Sequence, residues 1–390
     1  MSAESIVIVG SARTPIGAFQ GELKDLTAPA LGAHAIRAAI SRAGVEAQSI
    51  DEVLMGCVLP AGLGQAPARQ AALGAGLPET VPCATLNKVC GSGMKTVMLG
   101  HDAIRAGSAS IVVAGGMESM SNAPYLMAKA RGGYRLGHGQ LLDHMFLDGL
   151  EDAYDKGRLM GSFADDTARH YQFSRQAQDG FALASLERAR AAAGEGRFSA
   201  EIAPIDSAGT TVSTDEQPRR ARPEKIPTLR PAFGPDGTVT AANASSISDG
   251  AAALVLMNES EAERRGLAPL ARIVGHSSHA QAPAWFTTAP VGAVEKLLAR
   301  IGWTAADVDL FEINEAFAVV VLATERELGL DLDRVNVNGG ACALGHPIGC
   351  SGTRIIVTLL AALEERGAKR GIASLCIGGG EATAIAIERF

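Results

Sequence analysis

Two stretches of this chain, 258 residues apart, read as the same piece of structure, and this duplication constrains the fold more than any single motif. Ile40-Ser-Arg-Ala-Gly44, the loop Val45 to Ser49, and Ile50-Asp51 with Val53 read as a helix end, a glycine cap, a short connection and a buried strand. Leu298-Ala-Arg-Ile-Gly302, Trp303 to Asp307, and Val308-Asp309 with Phe311 read the same way. Gly44 aligns with Gly302 and Asp51 with Asp309, and at that offset Gly56 faces Asn314. Further on, Cys90-Gly-Ser-Gly-Met-Lys95 precedes a helical apolar pattern (Met94, Val97, Met98, Ile104). Gly349-Cys-Ser-Gly-Thr-Arg354, leading into Ile355, Ile356, Leu359, Leu360 and Leu363, resembles it at an offset of 259. Ile111-Val-Val-Ala114 with Gly115-Gly116-Met117-Glu118 then matches Ser374-Leu-Cys-Ile377 with Gly378-Gly-Gly-Glu381 at 263. Small loop insertions account for the drift.

Each copy alternates short Val/Ile-rich strands, the first at Ser5-Ile-Val-Ile-Val9, with helices of about 10 to 15 residues, the pattern of a mostly parallel sheet covered by helices. Two stacked α/β lobes are therefore expected. Residues 122–248 have no counterpart in either copy and hold helix-like stretches (Thr167 to Tyr171, Ser174 to Gly194) and irregular chain from Gln217 to Phe233. The expected division is an N-terminal lobe of residues 1–121 plus 249–270, an inserted loop domain over 122–248 and a C-terminal lobe over 271–390.

With 47% hydrophobic and 20% charged residues, the chain has ample material for such cores, and disorder is excluded as its dominant state. A net charge of −7 argues against a non-specific nucleic-acid surface, so no nucleic-acid partner is expected. The six cysteines form no C-x-x-C pair and read as reduced thiols of a cytosolic protein. No apolar run approaches the length of a membrane span, and neither a basic signal region nor a Ser-Lys-Leu address is present. A soluble, cytoplasmic protein is the expectation.

Ligands of open α/β sheets gather where strands give way to helices. Cys90 stands at such a place in Asn87-Lys-Val-Cys-Gly-Ser-Gly-Met-Lys95, where unpaired backbone N–H groups favour a thiolate and the glycines let a carbonyl approach. His346 lies in the equivalent loop of the second copy, among small residues that can act as neither acid nor base. Cys376 ends a strand before three glycines whose N–H groups could hold an oxyanion. Asn314, in Glu312-Ile-Asn-Glu-Ala-Phe-Ala318, suits a polar contact or a helix cap. Taken one at a time, each is as consistent with packing as with chemistry. The sequence contains no G-x-x-x-x-G-K-[ST], H-E-x-x-H or G-x-S-x-G, nor G-x-G-x-x-G after a strand, which weakens the nucleotide, zincin and serine-hydrolase readings. His276-Ser-Ser-His279 has metal-like spacing without neighbouring Cys or carboxylate ligands, so no metal is expected.

With these motifs in hand, nearly the whole chain resembles the thiolase family, in its acetyl-CoA acetyltransferase branch. Asn87 to Lys95, Asn314-Glu-Ala-Phe317, Asn338-Gly-Gly to Gly345-His-Pro347 and Cys376-Ile-Gly-Gly-Gly380 stand in that family's order. The resemblance implies a five-layer α-β-α-β-α sandwich with an inserted loop domain, and a homotetramer built as a dimer of dimers. It implies reversible Claisen condensation of two acetyl-CoA to acetoacetyl-CoA and CoA, with coenzyme A as substrate and product and no resident cofactor. Cys90 would carry the acyl group, His346 would take its proton, and Cys376 would remove the α-proton of the second acetyl-CoA. The backbone of Cys90 and Gly378 would hold one oxyanion, and His346 with a water on Asn314 the other. Arg219, Leu229, Phe233, Ala241, Ala244 and Ser245 would lie beside CoA, and Leu150, Met160, Phe286, Ala316 and Phe317 near pantetheine or acyl group. One departure is Leu159-Met160-Gly161, where short-chain members often read His-Met-Gly. A broader-range degradative thiolase therefore stays open, as do a ketoacyl synthase, which Cys376 opposes, and a silent acyl-CoA-binding protein.

Overall fold

The computed structural model describes residues 4–390. Its N-terminal part runs β1 (Ile6–Arg13), β2 (Gly17–Ala18), α1 (Ala28–Ala43), β3 (Glu52–Gly56), α2 (Pro67–Gly74), β4 (Cys83–Leu86), α3 (Ser92–Arg105) and β5 (Ile111–Ser119). The middle stretch holds hairpin β6 (Tyr125–Met127) and β7 (Leu141–Asp143), helices α4 (Met160–Tyr171) and α5 (Arg175–Gly194), hairpin β8 (Ile205–Ser207) and β9 (Thr210–Val212), and α6 (Glu216–Arg220). There follow β10 (Ser248–Asn258), α7 (Glu259–Arg264), β11 (Ala271–Ala280), α8 (Ala289–Ile301), β12 (Leu310–Ile313), α9 (Ala318–Leu328), α10 (Ala341–Leu344), α11 (Ile348–Glu365), β13 (Arg370–Ile377) and β14 (Glu381–Glu388).

The main strands form one hydrogen-bonded path, β12-β13-β14-β11-β1-β10-β5-β3-β4, whose halves meet where Ile6–Ile8 pair with Ala271–Ile273. Side chains alternate along these strands, and the alternation builds three helical layers around two sheet halves. Val53, Met55, Val113, Val255 and Met257 face α1 and α2. Leu54, Val112, Ala114, Leu254 and Leu256 face the other way, onto α3 and α11, which also receive Ala373, Leu375, Ile385 and Ile387 from the second half. Ile372, Cys376, Ala384 and Ala386 point outward again, onto α8 and α9. The result is the five-layer α-β-α-β-α sandwich.

The sheet is less parallel than the sequence pattern suggests. Among the strands named above, only β12–β13, β3–β4 and β3–β5 run parallel, while β10 and β14 lie antiparallel to their neighbours. Gly378–Gly380 joins β13 directly to β14, and a connection that short permits only antiparallel pairing.

The duplication is chemical as well as topological. Helices α1 and α8 both end at a left-handed glycine, Gly44 (φ 65°) and Gly302 (φ 71°). Asp51 Oδ2 accepts the N–H groups of Ser110 and Ile111 at the start of β5, and Asp309 Oδ2 accepts those of Lys369 and Arg370 at the start of β13. Helices α3 and α11 touch through the aligned pair Gly93 and Gly352. A Cβ on Gly352 would sit 2.3 Å from the Met94 backbone N, and one on Gly93 2.7 Å from Thr353 Oγ1 and 2.9 Å from the Gly349 carbonyl. Thr353 Oγ1 donates to the Gly93 carbonyl at 2.8 Å across the same contact.

The middle stretch docks through Leu186, Ala189, Phe198 and Ile226 against Ile16, Ala343 and Leu344 of the lobes. Since backbone cannot retreat from an added methyl, Gly352→Ala is expected to lower unfolding free energy by about 2 kcal/mol or more. Gly180→Ala, on an exposed face of α5 with no atom within 4 Å, should instead stabilise by about 0.5–1 kcal/mol. Urea unfolding of the two variants checks both signs, and equal destabilisation would discount the helix contact.

Candidate active site

Cys90 occupies the turn between β4 and the start of α3, with Gly91 as the N-cap residue. The turn is held tightly. Asn87 Oδ1 accepts from the Val89 N–H at 2.9 Å, and Ser92 Oγ accepts from the Lys88 N–H at 2.8 Å and donates to the Val89 carbonyl at 2.6 Å. These bonds hold Val89 at φ 47°, a left-handed conformation that a β-branched residue adopts only when its surroundings enforce it. Gly91 has no room for a side chain, since a Cβ would lie 2.3 Å from Ile377 Cδ1. Lys88 pairs with Glu381, joining the Cys90 turn to the β13–β14 turn.

That junction brings two thiols together. The backbone N–H groups of Gly378 and of Cys90 itself act on the Cys90 sulfur to lower its pKa, and Cys376 is fully buried close enough for charge on Cys90 to raise its own. Desolvation pushes the Cys90 thiol up to about 11, the two N–H groups offsetting only part of it. The thiolate expected from the helix terminus is thus not the resting form. Burial outweighs the helix end.

His346 lines the same cavity as this thiol. Its Nδ1 lies 2.5 Å from Ser351 Oγ, whose own proton goes to the Pro347 carbonyl at 2.9 Å. The hydroxyl must then accept, so the imidazole carries its proton on Nδ1 and keeps a lone pair on Nε2. Burial, assisted by the charge of Arg354, lowers its pKa to about 3, leaving the ring neutral. Nε2 is buried without a protein partner. Asn314 Nδ2 is a second buried atom without one, while Asn314 Oδ1 accepts from Arg354 at 3.4 Å.

Two buried carboxyl groups position these loops. Glu118, at the end of β5, accepts the N–H groups of Val58, Leu59 and Gly349, so it anchors the start of α11 just after His346. Desolvation raises its pKa to about 7. Glu315, beside Asn314, accepts from Ser185 Oγ of α5, Asn336 Nδ2 and the Cys342 N–H.

A cavity of about 670 Å³ leads to this centre. Cys90, His346 and Gly378 line its floor, and Leu150, Met160, Phe233, Ala241, Ala244, Ser245, Phe286, Ala316 and Phe317 line its walls. Phe286 stands edge-on to Phe163 and Phe317, with ring centroids 6.4 Å away in each case. Asn314 and Cys376, both buried, are not among the lining residues. Of the residues expected beside coenzyme A, Arg219 and Leu229 are not in the lining. Arg219 is turned away to Glu22 at 2.6 Å, and the cationic side chain on the cavity is its neighbour Arg220, anchored on Glu216 at 2.6 Å. Successive helical residues point about 100° apart, and two adjacent arginines carry no sequence mark of which faces inward. Leu159, singled out in the sequence as a departure from His-Met-Gly, lines the cavity, as do Phe19, Val89, Ser246 and Ile247, which were missed. Of those four only Val89, inside the Cys90 motif, carried a usable signal.

The arrangement suits formation and resolution of a thioester on Cys90, with a second thiol opposite it. Comparison with known proteins agrees. Sequence models of the thiolase N-terminal and C-terminal domains match residues 6–260 and 267–389. An acetyl-CoA acetyltransferase of Escherichia coli is 53% identical over 99% of this chain and 100% of its own length. Acetyl-CoA acetyltransferase 2 of Arabidopsis thaliana is 51% identical over 100% of this chain and 98% of its own. A thiolase of Ascaris suum, crystallised with coenzyme A, superposes with a TM-score of 0.95 at 43% identity, covering 99% of this chain and 100% of that one. The chain belongs to the thiolase family.

Because the resting thiol is protonated at neutral pH, alkylation of Cys90 by iodoacetamide in the free enzyme should climb about tenfold per pH unit from 7 to 9. Peptide mapping of the adduct gives the rate. A plateau already reached near pH 7 would show that the thiolate predominates.

Proposed function

We propose that this chain is an acetyl-CoA C-acetyltransferase, catalysing reversible Claisen condensation of two acetyl-CoA to acetoacetyl-CoA and CoA. The observation that carries this reading is a protonated Cys90 thiol under the Gly378 N–H, on the same cavity floor as a neutral His346 with a free Nε2. Relatives about 50% identical over their whole length bear the name of that activity.

In the first half-reaction His346 Nε2 accepts the Cys90 proton, the sulfur attacks the thioester carbonyl, and the departing CoA thiolate takes a proton from Cys376, which leaves His346 protonated and Cys376 as the thiolate. The N–H groups of Cys90 and Gly378 receive the tetrahedral oxyanion, and removing a donor of this kind costs about 3–4 kcal/mol in barrier. In the second, Cys376 accepts an α-proton from another acetyl-CoA, and the carbanion attacks the acyl group on Cys90. Its enolate oxygen is held by the protonated His346 Nε2 and by a water on Asn314, which is consistent with Nε2 and Asn314 Nδ2 both being buried without protein partners. The apolar cavity takes the pantetheine arm, and Arg220 at its edge suits the phosphates. Coenzyme A is substrate and product, without a resident cofactor, in a cytoplasmic homotetramer. Among the described residues no helix is long and apolar enough to cross a membrane.

Incubation with acetyl-CoA alone should acetylate the Cys90 peptide, and Cys90→Ala should abolish the adduct. Cys376→Ala should still be acetylated, yet neither exchange the α-protons of acetyl-CoA nor condense. An acetyl group on Cys350 or Cys83, or exchange without acylation, would overturn these roles.

Leu159 on the cavity wall, where short-chain members often carry His, favours a second reading as a broader-range degradative thiolase. The buried ring of Phe286 opposes it, because one excess methylene in a tight pocket costs roughly 1–3 kcal/mol. Acetoacetyl-CoA should be cleaved at least about tenfold better than 3-ketohexanoyl-CoA by kcat/KM, and Phe286→Ala should narrow the gap. Equal rates on the two substrates would decide for the broader enzyme.

A further inference from the structure

The last turn of α3 and the middle of β11 assemble a group of side chains that the acyl-transfer site does not use. Asp102 Oδ1 lies 3.0 Å from His101 Nδ1 and 2.9 Å from His276 Nε2, and all three donor atoms fall within 4.8 Å of one another. The imidazoles stand edge to face, centroids 5.0 Å apart, and are nearly buried, with 8% and 12% of their side chains exposed. The Asp102 carboxylate is half exposed, so the cluster opens to solvent on one side. The His-Ser-Ser-His spacing that seemed the only metal-like feature of the sequence is not the pair involved. His279 instead approaches Gln281 Oε1 at 3.0 Å, and the carboxylate absent from its sequence neighbourhood comes from a helix 174 residues away.

We propose that His101, Asp102 and His276 form a binding site for a transition-metal dication of the zinc type, with water completing its coordination. Two imidazole nitrogens and one carboxylate oxygen are a ligand set such ions take, with an open fourth position. At metal–ligand lengths of about 2.0–2.1 Å the edges of a tetrahedron are about 3.3 Å, so each nitrogen need move from the carboxylate oxygen by only a few tenths of an ångström, while the two nitrogens, within 4.8 Å of each other, settle to that same edge. No proton has to leave. The nitrogens facing Asp102 give up their hydrogens as the rings change tautomer to His101 Nε2–H and His276 Nδ1–H, and the ion replaces the two hydrogen bonds. The site also sits at the C-terminal end of α3, where the helix dipole favours positive charge. Lys95 and Arg300 are the opposing charges. The Lys95 ammonium acts on His276, and Arg300 donates to the His276 carbonyl at 2.8 Å. A bound ion would pin the central helix of the first half to a strand of the second.

Cobalt(II) is the probe. Full-length protein is freed of metal with a chelator and alkylated at Cys90, so that the thiol does not compete, and is then titrated. One Co²⁺ per chain is expected, with the visible absorption of a nitrogen–oxygen site and no thiolate charge-transfer band. Asp102→Asn and His276→Gln should each weaken binding at least about 100-fold, loss of a ligand costing no less than loss of a group that orients one. Lys95→Met should tighten it. Zn²⁺ should raise the Tm of the wild type but not of Asp102→Asn, and should shield His101 and His276 from diethyl pyrocarbonate in peptide maps. Metal-free Asp102→Asn, not alkylated, should keep wild-type activity, which separates this site from the acyl-transfer centre. Wild-type protein that takes up no Co²⁺ at millimolar concentration, or variants that bind it as the wild type does, would overturn the proposal.

Discussion

The close approach of α3 and α11 is the constraint on which the rest of the molecule depends. Each helix begins just after a candidate site residue, α3 after Cys90 and α11 after His346, and their axes come together where Gly93 and Gly352 leave no side chain between them. The contact does two things. It closes the middle layer of the sandwich, so that Met94, Val97, Ile355 and Leu359 fill the space between the sheet halves. It also brings the β4–α3 turn and the α10–α11 turn, from opposite ends of the chain, into one cavity. Any residue with a Cβ at that point would separate both the layers and the reacting groups, which joins stability and chemistry in one geometric requirement.

Burial then sets the protonation states. The same desolvation that raises Cys90 to about 11 lowers His346 to about 3, so the resting pair is thiol and neutral imidazole. An ion pair at rest in this buried site would carry a desolvation cost that the neutral pair does not. Glu118 and Glu315 serve the same end by structural means. Each is buried and saturated by N–H or O–H donors from separate elements, so a shift of either would release the His346 loop or the Asn314 loop.

Much of this was legible before any coordinates. Aligned Asp51 and Asp309 prove to bind the same two backbone positions in their respective halves, and the aligned glycines of the Cys90 and Cys350 turns prove to be the helix crossing. Cys90, His346 and Gly378 were named and do line one cavity. Arg219 was named where Arg220 faces inward, because a run of arginines has no periodic signal. Strand direction was misjudged because apolar runs in buried strands look alike in either orientation.

The sequence by itself determined the duplication, the two helix-covered lobes and the residue types available for acyl transfer, because a repeated pattern of caps and apolar periods is local and survives in one dimension. Tertiary structure alone decided which groups meet and in what state. The pKa of Cys90 and the tautomer of His346 depend on desolvation and on a hydroxyl that has only one proton to give. His276 gained its carboxylate from Asp102 only when α3 folded against β11. Desolvation and contacts between residues distant in the chain are properties of three-dimensional neighbours, and no linear spacing records them.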